Sequence, residues 1–236
     1  MSPFVADLRG VLELGIEGSA DLDAWRARTA PRGVEPIASG GRARVAIHAI
    51  SSRFGGTAFR ELVVGVEVRG EVEGAVVDGI YLDCAFNSSR MFALLERWCF
   101  ATPYRHALVE LDTGPRARIR VATANVDRFT ADFDRDAAGP GTLAAVDWDG
   151  PIFLPAEAGS RKRRWFRAKI AGETRSWEFE PHGRLSISAE PAQPEPACLV
   201  ASGFRAERFV ERLDARHART KTFAEGAGLE SKGRAG

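Results

Sequence analysis

Between Arg97 and His106 the chain reads Arg97-Trp98-Cys99-Phe100-Ala101-Thr102-Pro103-Tyr104-Arg105-His106. A proline that should end a helix is followed at once by a phenol, a guanidinium and an imidazole. Turns that leave packed helices are good places to aim such groups into a cavity. In a cavity, Tyr104 could donate a hydrogen bond to a developing oxyanion or move a proton. Arg105, with Arg97, could hold a carboxylate or enolate oxygen in the planar fork of its guanidinium, and His106 could join them as a ligand contact. The same residues also fit a plain surface turn, with the Tyr104 ring packed and Arg105 and His106 in water. Glu61 carries the same ambiguity. It is either a paired pocket carboxylate or a polar residue on the wet face of its strand.

Other chemistries find less support. His48, His106, His182 and His217 have no ligand spacing among themselves, so no metal site is expected. There is no Gly-x-Ser-x-Gly elbow, no Gly-x-Gly-x-x-Gly and no phosphate-binding loop, so neither triad hydrolysis nor a nucleotide cofactor is expected. Cys84, Cys99 and Cys198 are odd in number and widely spaced, which suits free thiols in a reducing compartment. The only lysines are Lys162, Lys169, Lys221 and Lys232. This excess of arginine, with abundant alanine and glycine, points to a GC-rich bacterial genome.

The 33 basic and 32 acidic side chains leave a formal net charge of +1. Such a balance gives no global pull toward nucleic acid or an anionic membrane. The basic run from Arg161 to Lys169 interleaves aromatics and could suit a nucleic-acid strand. Alternation gives a milder account, a charged edge strand with Phe166, Ala168 and Ile170 inward and Trp165, Arg167 and Lys169 outward. No apolar run is long enough to span a bilayer, and no basic stretch precedes an apolar core at the N-terminus, so a cytoplasmic protein is expected.

The elements that would position these groups are mostly strands. Val11 to Glu17, Arg44 to Ile50, Phe59 to Arg69 and Val76 to Leu82 have the β-branched content or alternation of strands. In the third, Leu62, Val64, Val66 and Val68 share one face, and Glu61, Val63, Gly65 and Glu67 share the other. Ser19 or Asp21 can cap a short helix ending near Arg28. Met91, Leu94, Leu95 and Trp98 follow the i, i+3, i+4, i+7 spacing of a central helix capped by Ser88 or Ser89. Strands follow at Leu108 to Asp112, Ala117 to Ala124 and Asp127 to Arg135. Beyond a turn at Ala137 to Thr142 come a short segment at Ile152 to Leu154, a hairpin from Arg164 to Phe179 turning at Gly172, and a strand at Arg184 to Ala189. Phe204 to Arg219 reads as a closing helix. One domain over residues 1–224 and a disordered tail at 225–236 are expected.

Several of these segments, in register, resemble the acetoacetate decarboxylase-like superfamily. The likeness runs from about Leu12 to Asp134. It rests on Asp21-Leu22-Asp23-Ala24-Trp25, Phe59-Arg60-Glu61-Leu62, Tyr81-Leu82-Asp83, Pro103-Tyr104 and Val121-Ala122-Thr123-Ala124. It is nearest an uncharacterised branch. The resemblance implies an α+β fold, a mostly antiparallel β-barrel or cone with a central helix and a C-terminal helix, enclosing a small-molecule pocket and often forming homo-oligomers. It also implies that Glu61 is the pocket carboxylate, while Ser19 falls near the family's substrate-facing arginine.

The departure from the family is chemical. In the decarboxylases, a lysine after the proline forms a Schiff base, and a second lysine with burial keeps the first a free amine. Here Tyr104 and Arg105 stand at those places. A phenol cannot form an imine, and a guanidinium stays protonated. The expectation is therefore a pocket for a small carboxylate or keto-acid-like molecule, probed by Tyr104, Glu61, Arg105, Arg97 and His106. Such a protein would be a lyase or isomerase working without covalent attachment, or a non-catalytic module that binds or senses a metabolite.

Overall fold

The computed structural model describes residues 4–124, 126–155, 163–188 and 196–225. The chain opens with the long strand β1 (Phe4–Asp21), the helix α1 (Leu22–Thr29) and the two-residue strands β2 (Glu35–Pro36) and β3 (Ala38–Ser39). Three long strands follow, β4 (Arg42–Phe54), β5 (Thr57–Val72) and β6 (Ala75–Asn87). The helix α2 (Arg90–Phe100) leads into β7 (Tyr104–His106), β8 (Leu108–Asp112), β9 (Arg116–Thr123) and β10 (Val126–Asp134). After the single turn α3 (Arg135–Ala138) come β11 (Thr142–Phe153), β12 (Arg163–Glu178), β13 (Gly183–Ile187), the short α4 (Ala197–Ala201), β14 (Arg205–Thr220) and β15 (Phe223–Glu225).

The main sheet runs β5-β4-β1-β14-β12-β11-β6, and β5 pairs again with β6, so the hydrogen bonding forms a closed circuit. All neighbours in it are antiparallel except β11 and β6, which meet in parallel through Ile152–Ile80 and Phe153–Tyr81. Gly55 and Gly56 make the two-residue turn between β4 and β5, both at positive φ, as the twist of a tight hairpin demands. A second antiparallel sheet, β13-β10-β9-β8, packs on the outside of the circuit. The main core fills the space between them. Leu62, Val64, Val66 and Val68 of β5, the face read from the sequence, join Val109, Ile119, Val121 and Phe129 there. The opposite face of β5, with Glu61 and Val63, looks into the circuit.

Two helices are fastened by side chains that the sequence already offers. The Asp21 carboxylate caps α1 by accepting from the Ala24 N–H at 2.7 Å, and Trp25 is buried beneath it. Arg28, at the far end of α1, makes a forked ion pair with the buried Asp83 of β6. That pair gives the Asp-Leu-Asp-Ala-Trp and Tyr-Leu-Asp segments a shared structural role. Ser89 caps α2 by accepting from the Phe92 N–H, and the helix ends at Ala101 in a left-handed conformation two residues before Pro103.

Several expectations change. Phe204 to Arg219 is a strand, paired with β1 on one side and β12 on the other. The C-terminal helix is thus absent among the described residues beyond the five-residue α4. The expected hairpin at Gly172 is one continuous strand, β12, with an irregularity in register between Ala171 and Arg175. Ile152 to Leu154 lies at the end of the 12-residue β11. Trp165 is buried and stacks on Phe223 at 4.7 Å instead of facing solvent. The amphipathic face of α2 exists, but Met91, Leu94, Leu95 and Trp98 lie largely exposed. Arg161, Lys162, Pro191 and the tail beyond Glu225 fall outside the described residues. Among the described residues, no helix is long and apolar enough to cross a membrane.

Candidate functional site

The closed circuit surrounds a cavity of about 270 Å3, to which all seven of its strands contribute. The inner faces of α2 and β7 complete the wall with Phe92, Glu96, Phe100 and Tyr104. Most of the lining is aliphatic or aromatic. Its polar groups gather toward α2 and β7: Glu61, Asn87, Tyr104, Glu96, His217 and Arg219.

Register explains how the first three meet. Glu61 on β5 sits directly across from Asn87 on β6, and Tyr104 on β7 lies beside Ala85 of the same β6. Asn87 is buried and held in one orientation, because its Oδ1 accepts the Ser89 N–H at 2.8 Å. Its Nδ2 is therefore turned toward Glu61, to whose Oε2 it donates at 3.3 Å. The Tyr104 hydroxyl hydrogen-bonds the same carboxyl. Burial and then the nearby Glu96 charge push the Glu61 carboxyl up to about 7, against the pull of Tyr104, His217 and Arg219. Burial, Glu61 and Glu96 together push the Tyr104 phenol well above its ordinary range. At neutral pH the phenol is thus a donor, and the carboxyl is poised between acid and base.

The cations of the cavity are engaged. Arg219 bonds Glu96 through Nη1 at 2.6 Å and lies over the rings of Phe166 and Phe100, at 3.9 and 4.6 Å. Thr102 also donates to Glu96, at 2.9 Å, so the pair ties the end of α2 to β14. Lys169 borders the cavity, but its Nζ is 3.0 Å from Asp147 Oδ1. Lys221 sits 5.9 Å from the ring of Phe223.

Deeper in the circuit lies a second carboxylate, Glu13 of β1, fully enclosed. Its Oε1 accepts from Arg212 at 2.6 Å and lies 2.6 Å from His48 Nδ1, and its Oε2 lies 2.9 Å from His217 Nε2. Arg212 donates onward to Thr174 at 2.6 Å. Burial opposes ionisation here, but the two histidines hold the Glu13 carboxyl well below the usual carboxylate range. Gly15 makes the crowding possible. A Cβ there would stand 2.7 Å from His48 Nδ1 and 2.6 Å from a methyl of Val210.

Of the residues singled out in the sequence, Glu61 and Tyr104 meet in the cavity. Arg97, Arg105 and His106 do not join them. All three are exposed and border a second recess of about 460 Å3 beside α2, whose lining also includes Arg90 and Tyr104. For Arg105 strand alternation is the reason, since turning Tyr104 inward sends the next side chain outward. Asn87, Glu96, His217, Arg219 and Glu13 escaped the sequence reading. Nothing local marks them, and Glu13 and His217 are 204 positions apart. Among the described residues, no group of three or more His, Cys, Asp or Glu side chains is arranged to hold a metal ion.

The fold is similar to that of acetoacetate decarboxylase and of other solved structures. An acetoacetate decarboxylase from Legionella pneumophila subsp. pneumophila str. Philadelphia 1 superposes with a TM-score of 0.68 at 14% identity, covering 96% of this chain and 90% of that one. An acetoacetate decarboxylase-like enzyme from Sphingomonas wittichii RW1 gives a TM-score of 0.60 at 11% identity, covering 94% and 93%. The enduracididine biosynthesis enzyme MppR, in complex with pyruvate, gives 0.60 at 13% identity, covering 92% and 89%. No protein-family model and no curated protein matches the sequence.

Proposed function

We propose that the cavity binds a small carbonyl compound with an apolar body and promotes proton transfer at the carbon beside the carbonyl, without a Schiff base. The carrying observation is the hydrogen-bonded pair of Glu61 and Tyr104 at the polar end of an otherwise apolar cavity. A carboxyl poised near neutrality suits a general base, whose efficiency is greatest when it titrates near the working pH. A phenol that stays protonated can shift its hydrogen bond to the carbonyl oxygen as negative charge develops there. Pyruvate in MppR, on the same fold, supports a carbonyl ligand.

An anionic ligand anchored by Arg105 was the expectation from sequence. Arg105 lies outside the cavity wall, and Arg219 inside it is already neutralised by Glu96. The reading therefore favours a neutral ketone over a carboxylate. By the sequence resemblance Tyr104 stands where the decarboxylases carry a lysine, and among the described residues Lys169, the lysine that lines the cavity, is paired with Asp147, which disfavours covalent attachment. Arg97, Arg105 and His106 are assigned no contact with the cavity ligand.

The test follows deuterium uptake from D2O by 1H NMR, with 4-phenyl-2-butanone as the neutral probe and phenylpyruvate as the anionic one. The protein should speed exchange at the carbons beside the neutral carbonyl, and Glu61→Gln should slow it by about 100-fold or more. Equal exchange in Glu61→Gln, or borohydride trapping of either probe on a lysine, would defeat the reading. Binding of the ketone with no exchange at all would instead identify a metabolite-binding module.

A further inference from the structure

We propose that His217 is a second acid–base group of this cavity, oriented by the buried Glu13, and that the pair Glu61–His217 moves a proton between two carbons of an unsaturated ketone. The substrate class is a β,γ-unsaturated ketone and the reaction its conversion to the conjugated isomer. This rests on the reading of Glu61 and Tyr104 as the site of enolisation.

Three observations carry it. First, His217 and Glu61 border the same cavity, and the charge of His217 is among those that Glu61 feels. Second, the ring is held by a carboxylate. An ionised Glu13 can only accept, so the contact at 2.9 Å requires the proton on Nε2. That leaves Nδ1 as the atom that takes up or gives away a proton. A buried carboxylate that fixes an imidazole's orientation and tautomer is a recurring device of acid–base sites. Third, Glu13 itself cannot turn away, because Arg212 and His48 crowd its other oxygen and Arg212 is fixed by Thr174. Three side chains approach this carboxylate, and one of them, His217, also lines the cavity.

The groups that face His217 come from several elements. Glu13 belongs to β1, His48 to β4, Glu61 to β5, Glu96 to α2, Tyr104 to β7 and Lys169 to β12, while Arg212 and Arg219 share its own strand. Arg219 and Lys169 are paired with Glu96 and Asp147, which leaves Glu61 as the cavity partner for a proton exchange.

The step balances as follows. The Glu61 carboxylate takes a proton from the carbon between the carbonyl and the alkene. The C–H electron pair becomes the new C=C bond, and the carbonyl pair moves onto oxygen, where Tyr104 donates a hydrogen bond. As those electrons return, the γ-carbon takes the Nδ1 proton of a cationic His217. Glu61 ends protonated and His217 neutral, and one proton passed between them through solvent restores both.

The experiment uses 3-cyclohexen-1-one in D2O and reads two quantities by 1H NMR, deuteration at the carbons beside the carbonyl and formation of 2-cyclohexen-1-one. The wild-type protein should show both. His217→Asn should lose conjugation by about 30-fold or more relative to any loss of deuteration, since a positioned acid contributes on that scale. Glu61→Gln should lose both. Glu13→Gln keeps the shape but removes the charge that holds the imidazole, and should move the pH profile of conjugation, which a residue that only holds the fold would not do. Conjugation in His217→Asn at the wild-type rate overturns the proposal, as does wild-type deuteration without conjugation. Absence of deuteration in the wild type defeats the enolisation reading instead. Two measurements need no substrate. Long-range 15N–1H spectra should show the His217 proton on Nε2, and the Glu61 carboxyl midpoint, followed by 13C NMR, should rise in His217→Asn because a lowering charge is gone. An unmoved midpoint, or a proton on Nδ1 alone, also overturns the assignment.

Discussion

Glu13 and Glu61 lie inside the same circuit of strands and differ in almost every electrostatic respect. Glu13 lies between two histidines that more than offset burial, so its carboxyl sits well below its usual range, and Arg212 donates to the same carboxylate. Glu61 receives two hydrogen bonds from neutral donors, Asn87 and Tyr104, and no direct cation, so burial wins and its carboxyl is pushed up to about 7. The contrast separates a carboxylate that holds structure from one that can exchange protons. Compensation decides which is which, because a buried charge needs either a partner or a proton.

The largest way to break that contrast is to remove the compensated charge. Glu13→Ala should destabilise the protein by about 3–5 kcal/mol, since it strands Arg212 in the interior. Glu13→Leu combined with Arg212→Met should recover much of this loss, because replacing both partners leaves no orphaned charge. Urea denaturation at neutral pH measures both.

Glu61→Gln should act in the other direction. The folded carboxyl titrates at about 7 against 4.5 for the free group. Between those values the folded state holds a proton that the unfolded state has released, so stability falls as pH rises through the window. The loss is complete above the folded value and amounts to up to about 3 kcal/mol. Glu61→Gln should therefore match the wild type near pH 4 and exceed it by up to about that amount near pH 9. Urea titrations at the two pH values would show whether the penalty exists.

Tyr104→Phe removes one donor to Glu61 and should cost about 1 kcal/mol. It should also raise the Glu61 midpoint further, since the lost hydrogen bond lowers it, and 13C NMR of the carboxyl reads that shift. Arg105→Ala sharpens the comparison from outside. An exposed side chain beyond the cavity wall should change stability by less than about 0.5 kcal/mol and leave the Glu61 midpoint in place.

Local pattern reached a good part of this. Alternation in β5 correctly separated Leu62, Val64, Val66 and Val68 from Glu61 and Val63, because one face meets the core and the other a partly polar cavity. The caps Asp21 and Ser89 were legible, since capping is decided within three residues. The strand β14 was not. Phe209, Val210, Glu211 and Arg212 are buried in succession, so no alternation marks Phe204 to Arg219 as a strand and the segment reads as a helix. The periodicity of α2 was real but silent about what covers it. Amphipathic spacing tells which side chains share a face, and only packing tells whether that face is inside.

What the sequence by itself determined is the chemistry available after Pro103, a phenol and a guanidinium with no lysine, and the β-rich pattern that carries it. Only the tertiary structure decided which of these groups meets Glu61, sending Tyr104 inward and Arg105 outward. It also brought His217 and Glu13 together across most of the chain's length. The physical reason is that a residue type is local, whereas the desolvation and charge that set what a carboxyl does come from strands joined by long-range pairing.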